Sequence, residues 1–69
     1  MKHILVFVMA GSKEKLATVE FSHPILVPRV GELVTFGSKS DGVWEVSGIL
    51  TDFGESELTT IIRVREVEK

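Results

Sequence analysis

The run Ile4-Leu5-Val6-Phe7-Val8 constrains the fold of this chain more than any other stretch. It is apolar at every position and rich in β-branched residues, which suit a pleated strand and lose rotamer freedom in a helix. A run this short without polar interruption is typical of a strand that is covered on both faces. We therefore predict a first strand from His3 to Met9 that needs cover on two sides.

Four further extended segments follow, and clusters of Gly, Pro, Ser and Asp separate them in the manner of turns. The second segment, Leu16 to Phe21, alternates apolar and polar residues and predicts a strand with one solvated face. The remaining segments are Leu33 to Phe36, Val43 to Leu50 and Leu58 to Val67. No stretch of about ten residues has the helical period, so we expect at most one turn near Pro28 to Glu32.

The length of the chain limits how these segments are arranged. Its 69 residues form a single β domain, residues 1–69, and a domain of this size buries only about 60% of its extended-chain surface. A flat sheet would leave an apolar face open to water. We therefore predict an all-β fold, a five-stranded, strongly bent antiparallel sheet that forms a small SH3-like or OB-like barrel. Gly48, in the middle of a strand, indicates a bulge or sharp bend.

The predicted core takes the apolar residues from one face of each strand. In the fourth segment Trp44, Val46, Gly48 and Leu50 share that face when the two-residue period is followed along the strand. The expected core residues are Leu5, Phe7, Val19, Phe21, Val34, Phe36, Val46, Leu50, Ile62 and Val64, with Trp44 at the edge.

The segment Pro28-Arg29-Val30-Gly31-Glu32-Leu33-Val34 predicts a corner. Pro28 fixes an extended approach, and Gly31 can adopt a turn conformation that other residues avoid. The segment resembles the P-x-V-G-E-x-V turn of small bacterial and phage β-barrel proteins of unknown function. That resemblance implies a barrel corner and a small accessory protein of bacterial or phage origin, and it implies no particular activity.

Composition excludes several functional classes. Eight Lys and Arg against ten Asp and Glu give a net charge of −2, which is not the charge of a protein that binds nucleic acid mainly by electrostatics. The longest apolar run, Ile4 to Ala10, falls short of the about 20 residues that a membrane helix needs. Charged Lys13 follows it where a signal peptide has small residues. With no cysteine, we expect a cytoplasmic protein without a membrane partner.

Catalytic and metal-binding patterns are weak in this sequence. His3 and His23 are the two histidines, and no carboxylates stand at a recognisable ligand spacing from them. The serines fall mostly at turns, where their hydroxyls satisfy loop backbone. The six glycines are scattered singly and form no phosphate-binding loop. We expect no enzyme, no metal and no cofactor.

Protein association is the function that the sequence favours, and the partner is either a foreign protein or a second copy of the chain. One face of the first strand can line the core, and its other face then needs a cover. The segment Pro24 to Pro28 could provide that cover within the monomer; otherwise a second subunit or a partner must. The candidate interaction residues are Ile4, Val6, Val8, Ile25, Leu26 and Val27.

The alternative function is binding of single-stranded nucleic acid, because small barrels often present aromatic and basic side chains to a strand. Arg63 and Arg65 share one face of the last segment, about 7 Å apart. The acidic balance of the chain argues against this alternative. The candidate residues are Trp44, Arg63, Arg65 and Lys39.

Overall fold

The computed structural model describes residues 2–37 and 42–67, which form one five-stranded sheet. The strands are β1 (Lys2–Met9), β2 (Lys15–Phe21), β3 (Leu33–Val34), β4 (Trp44–Phe53) and β5 (Glu57–Glu66). Their order across the sheet is β2-β1-β5-β4-β3, and the sheet curls into a half-barrel around one apolar core. The predicted all-β, small barrel-like fold class is confirmed.

The sheet is mixed, and here the expectation of a wholly antiparallel sheet is wrong. β1 pairs with β5 in parallel, from Lys2 beside Glu57 to Met9 beside Val64, whereas the other strand pairs are antiparallel. The cause is the connection after β2, which carries the chain from one edge of the sheet to β3 at the opposite edge. The β4–β5 hairpin then fills the space beside β1. This places the continuously apolar strand β1 in the interior of the sheet.

The core lies on the concave face of the half-barrel, which we call the inner face. Its buried apolar residues are Leu5, Phe7, Trp44, Val46, Ile62 and Val64. Phe36 packs edge-on against the ring of Phe7, with 5.1 Å between ring centroids, and lies 6.1 Å from the Trp44 ring. Trp44, which we expected at the edge, is 4% exposed and part of the core. Its indole N–H finds no acceptor among the described residues.

A bulge in β4 corrects the predicted face of Leu50. Val46 pairs with Val64 and Gly48 with Arg63, so Ser47 is an extra residue in this strand. Because one inserted residue reverses the alternation that follows it, Leu50 lies opposite Ile61 on the far side of the sheet. Leu50 is 65% exposed, and its assignment to the core is wrong. The bulge that Gly48 indicated is confirmed, and it is the reason for the error.

The edges of the predicted elements also differ from the structure. β3 ends at Val34, two residues before the predicted end at Phe36, and β4 continues to Phe53 beyond the predicted end at Leu50. Val19 lies at the rim of the core and is exposed. These differences lie at strand ends and at the rim of the core, where side chains are exposed. Because few residues pack there, the sequence pattern does not fix where a strand ends.

The corner before β3 depends on the conformation of Gly31. Gly31 has a φ of 94°, and its N–H donates to the carbonyl of Val46 at 2.9 Å. The Glu32 N–H donates to the Arg29 carbonyl at 3.0 Å and so closes the turn. The Glu32 carbonyl in turn accepts from the Val46 N–H at 2.9 Å. The turn therefore attaches the chain to the edge of β4.

We predict that Gly31→Ala lowers the free energy of unfolding by about 1–2 kcal/mol, because an L-residue is strained at this φ. The new methyl group would meet no atom within 4 Å, so backbone strain alone is tested. Urea unfolding followed by Trp44 fluorescence measures the effect. Gly48→Ala is the control: Gly48 has no positive φ, and its methyl group would lie 3.6 Å from Arg63. Equal losses in the two variants would contradict the role of the Gly31 backbone.

Candidate protein-interaction surface

The two faces of β1 have different environments. His3, Leu5 and Phe7 point to the inner face and are buried, whereas Ile4, Val6 and Val8 point to the convex side and are half-buried. We call this convex side of the four strands β2, β1, β5 and β4 the outer face. The apolar residues that β1 places there are absent from the cluster that packs around the core. They therefore form a second apolar surface.

Apolar side chains from three strands form a row across the outer face. The register places Val6 beside Ile61 and Ile61 beside Leu50. Since neighbouring strands are about 4.8 Å apart, the row is roughly 10 Å long. Ile4 and Val8 extend the apolar surface along β1 on either side of the row. The outer face is therefore apolar at its centre, and Leu50 is its most exposed member.

The Pro24 to Pro28 segment lies over the inner face. The Ile25 N–H donates to His3 Nδ1 at 3.1 Å, and the side chains of Ile25 and Val27 pack against the core. Leu26, between them, is 96% exposed. The six candidate interaction residues are thus divided, because two cover the core, one faces solvent, and three lie on the outer face. The connecting residues that pack against the core among those described, Ile25, Val27 and Phe36, lie on the inner face.

His3 is a residue whose role the sequence did not reveal. It is 3% exposed, and because a backbone N–H donates to its Nδ1, the ring proton is assigned to Nε2. Nε2 then donates to Thr60 Oγ1 at 2.9 Å. His3 thereby ties the Pro24 to Pro28 segment to the centre of the sheet. Its position two residues before Leu5, on the same face of β1, was the signal that it would be buried.

The charges of the outer face are separated along the strands. In the register row of Ile4 stand Glu20 on β2 and Asp52 on β4. In the row of Val8 stand Lys15 on β2 and Arg63 on β5. The two rows are about 13 Å apart, with the apolar row between them. The outer face is therefore acidic on one side of its apolar centre and basic on the other.

Further charges extend this separation of sign. Beyond the acidic row, Lys2 lies beside Glu57 in the register and 3.9 Å from Glu20. Beyond the basic row, Arg65 forms an ion pair with Glu45. At the acidic end, the Lys2 ammonium group thus stands among the carboxylates of Glu20, Asp52 and Glu57. At the basic end, the charge of Arg65 is balanced and those of Lys15 and Arg63 set the sign.

The candidates for nucleic-acid binding do not share a surface. Trp44 is buried on the inner face, so its ring offers no stacking platform. Arg63 and Arg65 lie on the opposite side of the sheet, and Arg65 pairs with Glu45. Lys39 lies outside the described residues. Within the described part of the chain, no aromatic platform and basic groove come together.

A smaller apolar concavity opens on the inner face, between the edges of β2 and β3. It has a volume of about 380 Å³ and is lined by Phe7, Ala17, Val19, Val34, Thr35 and Phe36. Elsewhere in residues 2–37 and 42–67, no three His, Asp or Glu side chains cluster in a way that could hold a metal ion. The same residues contain no helix of the length and apolarity that a membrane crossing requires.

No family model, curated protein or solved structure matches this chain. The similarity of Pro28 to Val34 to the turn of small bacterial and phage β-barrel proteins stays a prediction. The fold defines the class of protein, a curled all-β half-barrel with its core on the inner face and apolar residues at the centre of its outer face. The outer face is therefore the candidate functional surface.

Proposed function

We propose that this protein is a non-enzymatic interaction module that assembles with another protein surface through its outer face. The row Val6, Ile61 and Leu50 carries the proposal, because it continues across three strands and none of its side chains belongs to the described core cluster. Apolar surface that is contiguous and rimmed by charged residues is typical of association sites. The inner face, in contrast, carries the core, with Ile25 and Val27 packed against it, and keeps one concavity of about 380 Å³.

The size of the outer face predicts a weak association. Three register rows across four strands cover roughly 15 by 15 Å, or about 200–300 Å² per partner. At about 25 cal/mol per Å² of apolar area, the gross gain is of the same order as the several kcal/mol that association costs. We therefore expect a weak, transient complex with a dissociation constant on the order of 100 µM rather than a permanent one.

The cytoplasm is the proposed location, since the 69 residues contain no cysteine and do not depend on an oxidising compartment for their fold. An accessory role in a bacterium or phage is proposed with it, on the similarity of the Pro28 to Val34 corner alone.

Site-specific photo-crosslinking in cells that express the protein tests the proposal. A photoreactive amino acid replaces Val6 at the centre of the outer face, and in a second variant it replaces Ile61 beside it. We expect protein adducts from both positions after irradiation. Their mass identifies the partner, because an adduct of two copies has twice the 7.6 kDa of one chain.

Two control positions make this experiment specific. Val19 lines the apolar concavity on the inner face, and Val30 is an exposed apolar residue at the corner before β3. Neither lies on the outer face, so we expect at most traces of adduct from them. Absence of adducts from Val6 and Ile61, or equal yields from all four positions, would overturn the proposed function.

A further inference from the structure

We infer that the outer face binds a second copy of this chain, in a two-fold dimer whose strands run in opposite directions. The inference rests on the proposed function and names its partner. It follows from the order of charges along the outer face, acidic beside Ile4 and basic beside Val8, with the apolar row of Val6 between them.

A two-fold axis can relate two such faces in two simple ways. If the axis runs along the strands, the acidic rows of both copies meet each other, and so do the basic rows. If the axis runs along the apolar row, the strands are reversed, and each acidic row meets the basic row of the other copy. In both cases Val6 and Ile61 lie at the centre. Because like charges that face each other are repelled, the second arrangement is favoured.

The position of Arg63 supports the same arrangement in detail. Its guanidinium Nη1 lies 3.6 Å from the place of a Cβ on Gly48, so the side chain extends from β5 across to β4. When the strands are reversed about the Val6 row, β4 faces β4 of the second copy. The Arg63 side chain, which reaches over β4, then stands opposite Asp52 of that copy. Asp52 lies on β4 in the acidic row.

The β2 side of the face gives a second pair by the same geometry. Lys15 stands beside Val8 and Glu20 beside Ile4, both on β2. Reversal about the Val6 row brings Lys15 opposite Glu20 of the second copy. The two copies thus make four charge contacts around one apolar centre, which is the self-complementarity that a two-fold interface requires. A second copy carries the matching charges on its own outer face, which a foreign partner would have to supply separately.

The oligomeric state of the purified chain is the first measurement. Sedimentation velocity from about 10 µM to 1 mM is expected to show a monomer–dimer equilibrium with a dissociation constant on the order of 100 µM. Raising the salt from about 50 to 500 mM should weaken it several-fold, because the charge contacts are exposed and screened. Ile61→Glu, at the centre of the face, is expected to abolish the dimer. Val30→Glu, an equally apolar-to-acidic change away from the face, should leave it unchanged.

Charge reversal tests the direction of the strands. Arg63→Glu alone and Asp52→Arg alone are each expected to raise the dissociation constant about tenfold, since a facing pair becomes repulsive at two symmetric places. The double variant Asp52→Arg with Arg63→Glu exchanges the signs and should restore the constant to within about threefold of the original. With the strands parallel, β4 would face β2, so residue 52 would face Glu20 and residue 63 would face Lys15, and each single reversal would tighten the dimer instead of weakening it.

The outcomes separate this inference from the proposed function. A chain that stays monomeric at about 1 mM overturns the dimer, and a double variant that fails to recover while Trp44 fluorescence shows it folded overturns the reversed direction of its strands. If Val6 and Ile61 then still give adducts with a foreign protein, the interaction module stands with a different partner. If they give no adducts at all, both proposals fall.

Discussion

Replacing Ile62 by alanine is expected to lower the free energy of unfolding by about 3–4 kcal/mol. Ile62 is 0% exposed and lies in the central strand β5, between β1 and β4. Large-to-small substitutions at such sites lose the transfer free energy of the side chain and leave a cavity. A 69-residue domain has roughly 3–10 kcal/mol of stability in all. The variant should therefore be partly unfolded at 25 °C, as urea titration at about 1 µM protein would show.

Ile61→Ala is the matched control for this prediction. It removes the same atoms from the neighbouring residue of the same strand, but from the half-buried outer face. We expect a loss of about 1 kcal/mol in the monomer, because the methyl groups removed are partly solvated already. Comparable losses at the two positions would show that the outer face is packed like the core and would remove the basis of the interaction surface.

Replacing His3 by alanine is expected to cost about 3 kcal/mol, the second largest effect. Two hydrogen bonds disappear together, one to Thr60 Oγ1 and one from the Ile25 N–H. Each partner is left without its bond in or near the core, at about 1–3 kcal/mol apiece. Amide hydrogen exchange should also accelerate at Ile25, since its N–H loses its acceptor. Denaturant unfolding and exchange measured on the same sample check both effects.

Thr60→Val isolates the hydroxyl side of this arrangement. The substitution keeps the shape of Thr60 and removes the acceptor of His3 Nε2, so we expect a loss of about 1–2 kcal/mol. The exchange rate at Ile25 should change little, because Nδ1 still accepts its N–H. If His3→Ala stays within 1 kcal/mol of the original protein, or if Thr60→Val frees Ile25 to the same extent, His3 does not anchor the segment as described.

The local sequence pattern predicted the strands well, because the apolar and polar residues that indicate a strand lie within that strand. The run from Ile4 to Val8 and the alternation of β2 were enough to place two strands within one residue of their observed starts. Gly31 was sufficient to predict the corner before β3, because a positive φ depends on one residue and its neighbours in the chain. The fold class followed from length and turn spacing. These features depend on interactions within about ten residues of the chain.

The prediction that Leu50 lies on the core face was wrong, and no local sequence pattern could have corrected it. A bulge at Ser47 adds one residue to β4, and whether Gly48 takes up a bulge or a simple bend depends on its pairing with Arg63 in β5. The parallel pairing of β1 and β5 is of the same kind. It depends on where the long connection after β2 leads, and loop closure differs little in free energy between the alternatives.

Three of the six residues predicted for an interaction surface lie on the outer face. Ile4, Val6 and Val8 were found because β1 is apolar on both faces. Leu50 and Ile61, which complete the row, come from strands whose register was unknown. Ile25 and Val27 were assigned to the surface and instead cover the core, held there by a hydrogen bond to His3. Whether an apolar residue covers the core or lies on an open face depends on contacts between segments that are distant in the sequence.

The sequence by itself determined that this is a small all-β domain with one strand that needs cover on two sides. That information is carried by the period and composition of short segments, which act over a few residues. The tertiary structure decided which side receives the cover. The Pro24 to Pro28 segment packs on the inner face, where Ile25 and Val27 contact the core and the Ile25 N–H donates to His3. The outer face keeps its apolar row and its ordered charges, since register places side chains from three strands together.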